Sequence, residues 1–155
     1  MKRDWKRVRK EVKEFVENEV YPAEEILNKR DEDSNKKMQE LMQKAKDNNL
    51  WALGHPEDIG GQGMPFMEYV YVNEVVGRST PAMVALGTHS LQDSIMLREF
   101  ASDSWRDAYL EPLVAGEIFP SFGMTEPEIA SSDPTQLQTF AVLEDGEWVI
   151  NGRKW

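Results

Sequence analysis

Cysteine is absent from this chain, and histidine is nearly so: His55 and His89 are the only two in 155 residues. Disulfides, thiolate metal sites and cysteine nucleophiles are therefore excluded, and with two imidazoles and no thiol a zinc centre is not expected. No apolar run is long enough to cross a bilayer. No apolar core follows the basic N-terminus, and acids stand at Asp4 and Glu11. Neither a secretory signal nor a transit peptide is visible, so a cytoplasmic location is expected. Glycines gather at Gly60-Gly61-Gln62-Gly63, but no Lys-Ser or Lys-Thr follows and no G-x-G-x-x-G occurs. That excludes a phosphate-binding loop and predicts a compact loop built on positive φ angles. Internal repeats and low-complexity segments are also missing.

What the chain does have is charge, with a net of −10, and a hydrophobic fraction of 40% that suits one globular domain's worth of sequence. The charge is uneven. Residues 1–13 carry +5, which leaves −15 for the rest. A basic helix can signal nucleic acid or an anionic membrane. Here the basic residues stand opposite an apolar stripe, which reads as a solvated helix face, and the acidic remainder would repel a phosphate backbone.

Trp5, Val8, Val12, Phe15, Val16 and Val20 recur at spacings of three and four and predict a first helix, with a break at Tyr21-Pro22. Asp31 to Asn35 reads as a polar linker in which Ser34 or Asn35 caps a second helix, with Met38, Leu41, Met42 and Ala45 inward and Asn48-Asn49 as its end. A third helix is expected from Pro65, burying Phe66, Tyr69, Val70 and Val76 and stopping at Gly77. Thr80-Pro81 opens a long helical region through Met83, Val84, Leu91, Ile95 and Phe100, in which His89 reads as a packing histidine. A last helix, from about Asp103 to Val114, points Trp105, Tyr109 and Leu113 inward, is distorted in its final turn by Pro112, and ends at Gly116.

Beyond Ile118 the period changes to two. Thr139, Ala141 and Leu143 alternate with Phe140 and Val142; Asp145-Gly146 predicts a tight turn into Trp148-Val149-Ile150, and Asn151-Gly152 a second turn. Between helices and strands lies Pro120 to Asp133, where Ser121, Gly123, Thr125, Ser131 and Ser132 interleave with Phe122 and Met124. An extended backbone presenting donors to a polar ring would have this composition. An interdomain connector would have it too.

The motifs separate those readings. M-T-E-P at Met124 to Pro127, A-S-S-D at Ala130 to Asp133 and D-G-E-W-V-I-N-G-R-K-W at Asp145 to Trp155 resemble the acyl-CoA dehydrogenase family. Upstream, P-E-D-I-G-G-Q-G-M at Pro56 to Met64, N-E-V-V-G-R-S at Asn73 to Ser79 and Y-L-E-P-L-V-A-G-E at Tyr109 to Glu117 match it in the same order and at similar spacing. The resemblance implies a mainly α fold: a bundle-like N-terminal helical domain over 1–117, then the first antiparallel strands of a β-barrel domain over 118–155. The family's further helical domain, which carries its catalytic glutamate, is expected to lie outside this chain, so no catalytic residue is assigned and the chain taken alone is expected to be inactive. The alternative, from another class, is a non-catalytic helical interaction module.

The resemblance also implies chemistry. The reaction is α,β-dehydrogenation of an acyl-CoA thioester, with FAD as cofactor and an electron-transfer flavoprotein as the usual acceptor, in an enzyme that is commonly a homodimer or homotetramer. Backbone amides of Phe122, Gly123, Met124 and Thr125, with the Thr125 hydroxyl, would face the flavin's polar edge. Ser131 and Ser132 are assigned to the cofactor, and Ser132, preferred for the family serine role, also to substrate. The longer A-S-S-D form resembles a branch handling medium to long acyl chains, and Trp155 stands just before the position of the tryptophan that packs on the flavin in many relatives. Glu126 is given a structural role, because the family's base lies elsewhere.

Overall fold

The computed structural model describes residues 3–130 and 132–155, and its contacts divide into two compact units, one ending at Pro120 and one running from Ser121 to Trp155. The first is helical. The second holds two antiparallel strands.

Helix α1 spans Trp5–Phe15 and starts where Asp4, in extended conformation, accepts hydrogen bonds from the Lys6 and Arg7 amides. Its apolar stripe continues into a wide π-type turn, Val16–Val20. A strict i, i+4 series drifts around an α-helix of 3.6 residues per turn, and the wide turn absorbs the drift. Val12, Val16 and Val20 are all fully buried as a result. The expected break at Tyr21-Pro22 is a 3₁₀ turn, Tyr21–Ala23, leading straight into α2, Glu24–Leu27. Proline is tolerated there because it stands in a first turn, where its missing N–H has no helical partner to lose.

Helix α3, Glu32–Asp47, is capped three residues before Ser34 and four before Asn35, the expected positions. Asp31 is the cap: its carboxylate accepts from the Ser34 amide at 2.9 Å, while the Ser34 hydroxyl donates back to the Asp31 carbonyl at 2.7 Å. Glu32 and Asp33 then favour the positive end of the helix dipole. Asn48 closes the helix, and Asn49 takes a left-handed conformation.

The loop after it folds onto itself through amides of Gly61, Gln62, Gly63 and Met64 donating to carbonyls of Pro56, Ala52, His55 and Leu53. Gly60 and Gly63 have positive φ as expected. Gly61 is required for another reason: a Cβ there would lie 2.1 Å from the His55 carbonyl oxygen.

Helix α4, Phe66–Val76, buries Tyr69, Val72, Val75 and Val76 and packs on α1. Phe66 and Val70, expected inside, are exposed. The helix is apolar on most sides, so its sequence marks no single stripe and packing selects the face. Helix α5, Thr80–Ala85, is capped by Ser79 rather than Thr80. The long helix expected to follow is divided: Gly87 turns left-handed, Thr88–Ser90 forms a 3₁₀ turn, and α6 runs over Leu91–Phe100. Met83, Ile95 and Phe100 are exposed. The last region comprises α7 (Asp103–Trp105), a π-type turn (Arg106–Leu110) and α8 (Glu111–Ala115), ending at left-handed Gly116. The distortion precedes Pro112, which sits in the first turn of α8. Trp105 and Tyr109 do not point inward: they are exposed and lie ring to ring at 5.1 Å, whereas Leu113 and Val114 are buried.

Trp51 organises this unit. Its indole N–H donates to the Val114 carbonyl at 2.8 Å, the Lys46 ammonium lies 4.7 Å from its ring centre, and the ring lies against both Gly87 and Gly116.

In the second unit β1 (Phe140–Glu144) pairs antiparallel with β2 (Glu147–Asn151), Val142 opposite Val149 and Leu143 opposite Trp148. Asp145 and Gly146 both have positive φ, as the tight hairpin turn requires. Gly152 brings the chain so close to Thr139 that a Cβ would meet its hydroxyl oxygen at 2.2 Å.

Candidate functional site

The segment Ser121 to Pro127 has no regular structure, and Phe122, Gly123, Met124 and Thr125 are all exposed. Among the described residues, no protein group accepts a hydrogen bond from the amides of these four. They form a run of available donors. Gly123 is not compelled by space: a Cβ would meet the Lys154 side chain at an ordinary 3.8 Å.

Around this run the second unit is tightly bonded. The Trp155 amide donates to the Thr125 carbonyl at 3.1 Å, and the Thr125 hydroxyl donates to the Trp155 main-chain oxygen at 2.8 Å. Glu126 is 4% exposed and accepts from the Gln138 amide at 2.8 Å, the Thr139 amide at 2.9 Å and the Lys154 ammonium at 2.9 Å. The same ammonium donates to the Met124 carbonyl at 2.9 Å. The Thr139 side chain, then the Gln138 amide and Lys154, lower the Glu126 pKa to about 2, so it is a fixed anion and not a proton carrier at neutral pH. A shallow depression is lined by Thr125, Glu126, Ile129, Ser132 and Trp155.

Ser132 is exposed on the rim of that depression. Ser131 lies outside the described residues. Asp133 is turned to a local task, accepting from the Thr135 amide and hydroxyl and from Gln136. Of the two histidines, His55 is buried and shares a 3.1 Å hydrogen bond with the Ser90 hydroxyl, and His89 stacks on Phe119 at 5.1 Å. Among the described residues no cluster of acids and histidines could hold a metal, and no helix is long and apolar enough to cross a membrane. A cleft of about 1030 Å³ beside α1 and α3 is lined mainly by charges of both signs such as Arg7, Glu11, Lys44 and Asp47, and its lining includes no residue of the family-like motifs.

The family model described as acyl-CoA dehydrogenase, N-terminal domain, matches residues 2–117. The chain belongs to the acyl-CoA dehydrogenase family. Mouse acyl-CoA dehydrogenase family member 10 is 32% identical over 154 residues, covering 92% of this chain and 14% of its own. A solved Mycobacterium abscessus structure assigned to the acyl-CoA dehydrogenases superposes with a TM-score of 0.85 at 32% identity, over 97% of this chain and 41% of that one. An acyl-CoA dehydrogenase from Bacillus anthracis, solved in complex with FAD, gives 0.72 at 26% identity, over 99% and 26%. The chain thus spans under half the length of these relatives, and the family it belongs to is one of oxidoreductases.

Sequence reasoning passed over Lys154, Gln138 and Thr139. A signal was present: Glu126 is the first acid after Glu117, set among small and apolar residues, and Lys154 follows the hairpin that returns the chain. A lone carboxylate in such a segment calls for partners.

Proposed function

We propose that this chain forms the N-terminal helical domain, over 1–117, and the start of the middle β-domain, over 118–155, of an FAD-dependent acyl-CoA dehydrogenase. The reaction is removal of hydrogen from Cα and Cβ of an acyl-CoA thioester. The observation that carries the reading is the run of amides at Phe122, Gly123, Met124 and Thr125 that find no acceptor among the described residues, at the place where the family's motif lies and where an FAD-complexed relative shares the fold.

FAD, when bound, supplies the acceptor for the hydride from the β-carbon. The residues present fit such a ring. Exposed amides in a row suit an electron-rich polar edge, and donors held in place stabilise negative charge there without reorganising. The hydrogen of the Thr125 hydroxyl is already committed to Trp155, so the amides are the donors on offer and the hydroxyl oxygen remains an acceptor. Ser131 and Ser132 serve the cofactor's phosphates, and Ser132 also the CoA portion of the substrate. On the A-S-S-D form, the acyl chain is of medium to long length. An electron-transfer flavoprotein takes the electrons, and the enzyme acts as a dimer or tetramer.

The test is an electron-acceptor assay on the whole enzyme containing this chain, with saturated acyl-CoA substrates from short to long. Turnover peaking at medium or long chains supports the reading. A flavin-loaded protein inert to every acyl-CoA contradicts it.

A further inference from the structure

The segment that would face the flavin has little to hold it by packing, since Phe122 is 59% and Met124 48% exposed. Segments with few buried apolar contacts are ordinarily mobile. We propose that Glu126 and Lys154 are positioning residues, which fix the peptide between Met124 and Thr125 in the pose that offers the Thr125 amide to the cofactor. The proposal rests on the functional reading of Phe122 to Thr125 given above.

The geometry is specific. One Lys154 ammonium reaches the Met124 carbonyl and Glu126 Oε1, each at 2.9 Å. A peptide unit is planar, so the carbonyl of Met124 and the amide of Thr125 lie in one rigid plane on opposite sides. Holding the carbonyl sets the direction of the N–H. Glu126 in turn holds Lys154 and ties both to the entry of β1 through the Gln138 and Thr139 amides at 2.8 and 2.9 Å. Bonds to ionised groups are the stronger kind, and donors fixed beforehand bind without an ordering cost.

The first arm of the test is ¹⁵N relaxation on the 155-residue chain. In the native chain the Thr125 amide should show a rigid order parameter of about 0.85, and in Lys154→Met it should fall below about 0.6. Lys154→Arg should restore most of the loss. Glu126→Gln should loosen Gln138 and Thr139 as well, whereas Lys154→Met should leave those two in place. An unchanged Thr125 order parameter in Lys154→Met, in a chain whose helical resonances are intact, overturns the proposal, and Lys154→Met keeps the test valid if Glu126→Gln fails to fold.

The second arm uses the flavin-loaded enzyme containing this chain. Lys154→Met should weaken FAD binding at least tenfold and shift the flavin potential, with Lys154→Arg in between. If affinity and potential stay unchanged while the order parameter falls, the pair does not position for the flavin and the proposal is overturned. If the native enzyme takes up no FAD, the functional reading fails instead, and the holding of the peptide is judged by the first arm alone.

Discussion

Thr125 and Trp155 are bonded to each other twice, the Trp155 amide donating to the Thr125 carbonyl at 3.1 Å and the Thr125 hydroxyl donating to the Trp155 main-chain oxygen at 2.8 Å. The motif threonine is thereby tied to residues that follow the hairpin. Thr125→Val keeps the shape and removes the hydroxyl bond, at a cost of about 0.5–1.5 kcal/mol. The expected result is a more mobile Trp155 by ¹⁵N relaxation and weaker FAD retention by the whole enzyme, with Thr125→Ser close to native. Weaker FAD retention with Trp155 unmoved would instead mean that the hydroxyl faces the flavin directly, as the family resemblance implies.

Glu126 gives the second unit an acid limit. Its carboxyl titrates near pH 2 in the folded chain, against about 4.3 for an unperturbed glutamate. With the folded value below the unfolded one, the stabilisation is complete above about pH 4.3 and is lost as pH falls towards 2. The Gln138 and Thr139 amide resonances should move with a midpoint near pH 2, and in Glu126→Gln that titration should vanish. A midpoint near 4.3 would mean that the hydrogen bonds to the carboxylate do not form in solution.

His55 gives the first unit a different window. Burial, then the nearby charge of His89, lower its pKa to about 4, opposed by its hydrogen bond with Ser90. The folded protein therefore holds His55 neutral while the unfolded chain protonates at about pH 6.5. Stability is full above 6.5, falls as pH drops towards 4, and levels off below it, a loss on the order of 3 kcal/mol. Urea unfolding at several pH values should show this slope, and His55→Gln should flatten it between pH 6.5 and 4.5.

Gly87 and Gly116 should prove hard to replace. Both have positive φ, and a Cβ at either would lie 2.7 Å from the Trp51 ring. Alanine at either position should cost about 1–3 kcal/mol in strain alone, whereas Gly123→Ala, with 3.8 Å to its nearest neighbour, should leave thermal stability unchanged. Trp51→Ala should cost about 3–5 kcal/mol.

The helical character, the change to antiparallel strands and the hairpin turn were legible because each leaves a local mark: spacings of three and four at Trp5, Val8, Val12 and Phe15, short aromatic and β-branched runs at Phe140 to Leu143 and Trp148 to Ile150, and Asp145-Gly146 at the turn. Faces were less legible. Helix α4 carries apolar residues on most sides, so nothing in Phe66 to Val76 says that Tyr69 goes in and Phe66 stays out. The division of α5 from α6 depends on the Trp51 ring, 36 residues before Gly87, and no window around Gly87 contains that information. Within the site, the motif pointed to Phe122 through Thr125, but the bonds that hold Met124 and Thr125 come from Lys154 and Trp155. Those two contacts form only when the hairpin returns the chain, which spacing along the sequence does not reveal.

The central claim is that Phe122 to Thr125 is the flavin-facing segment of an acyl-CoA dehydrogenase. Titration of the ¹⁵N-labelled chain with FAD tests it most directly, because chemical shifts register contacts too weak to survive gel filtration. The account predicts saturable shifts concentrated at the amides of Phe122, Gly123, Met124 and Thr125 and at Ser132, with the charged cleft beside α1 and α3 unaffected. Shifts confined to that cleft, or none at the four amides at the highest FAD concentration reached, would contradict it.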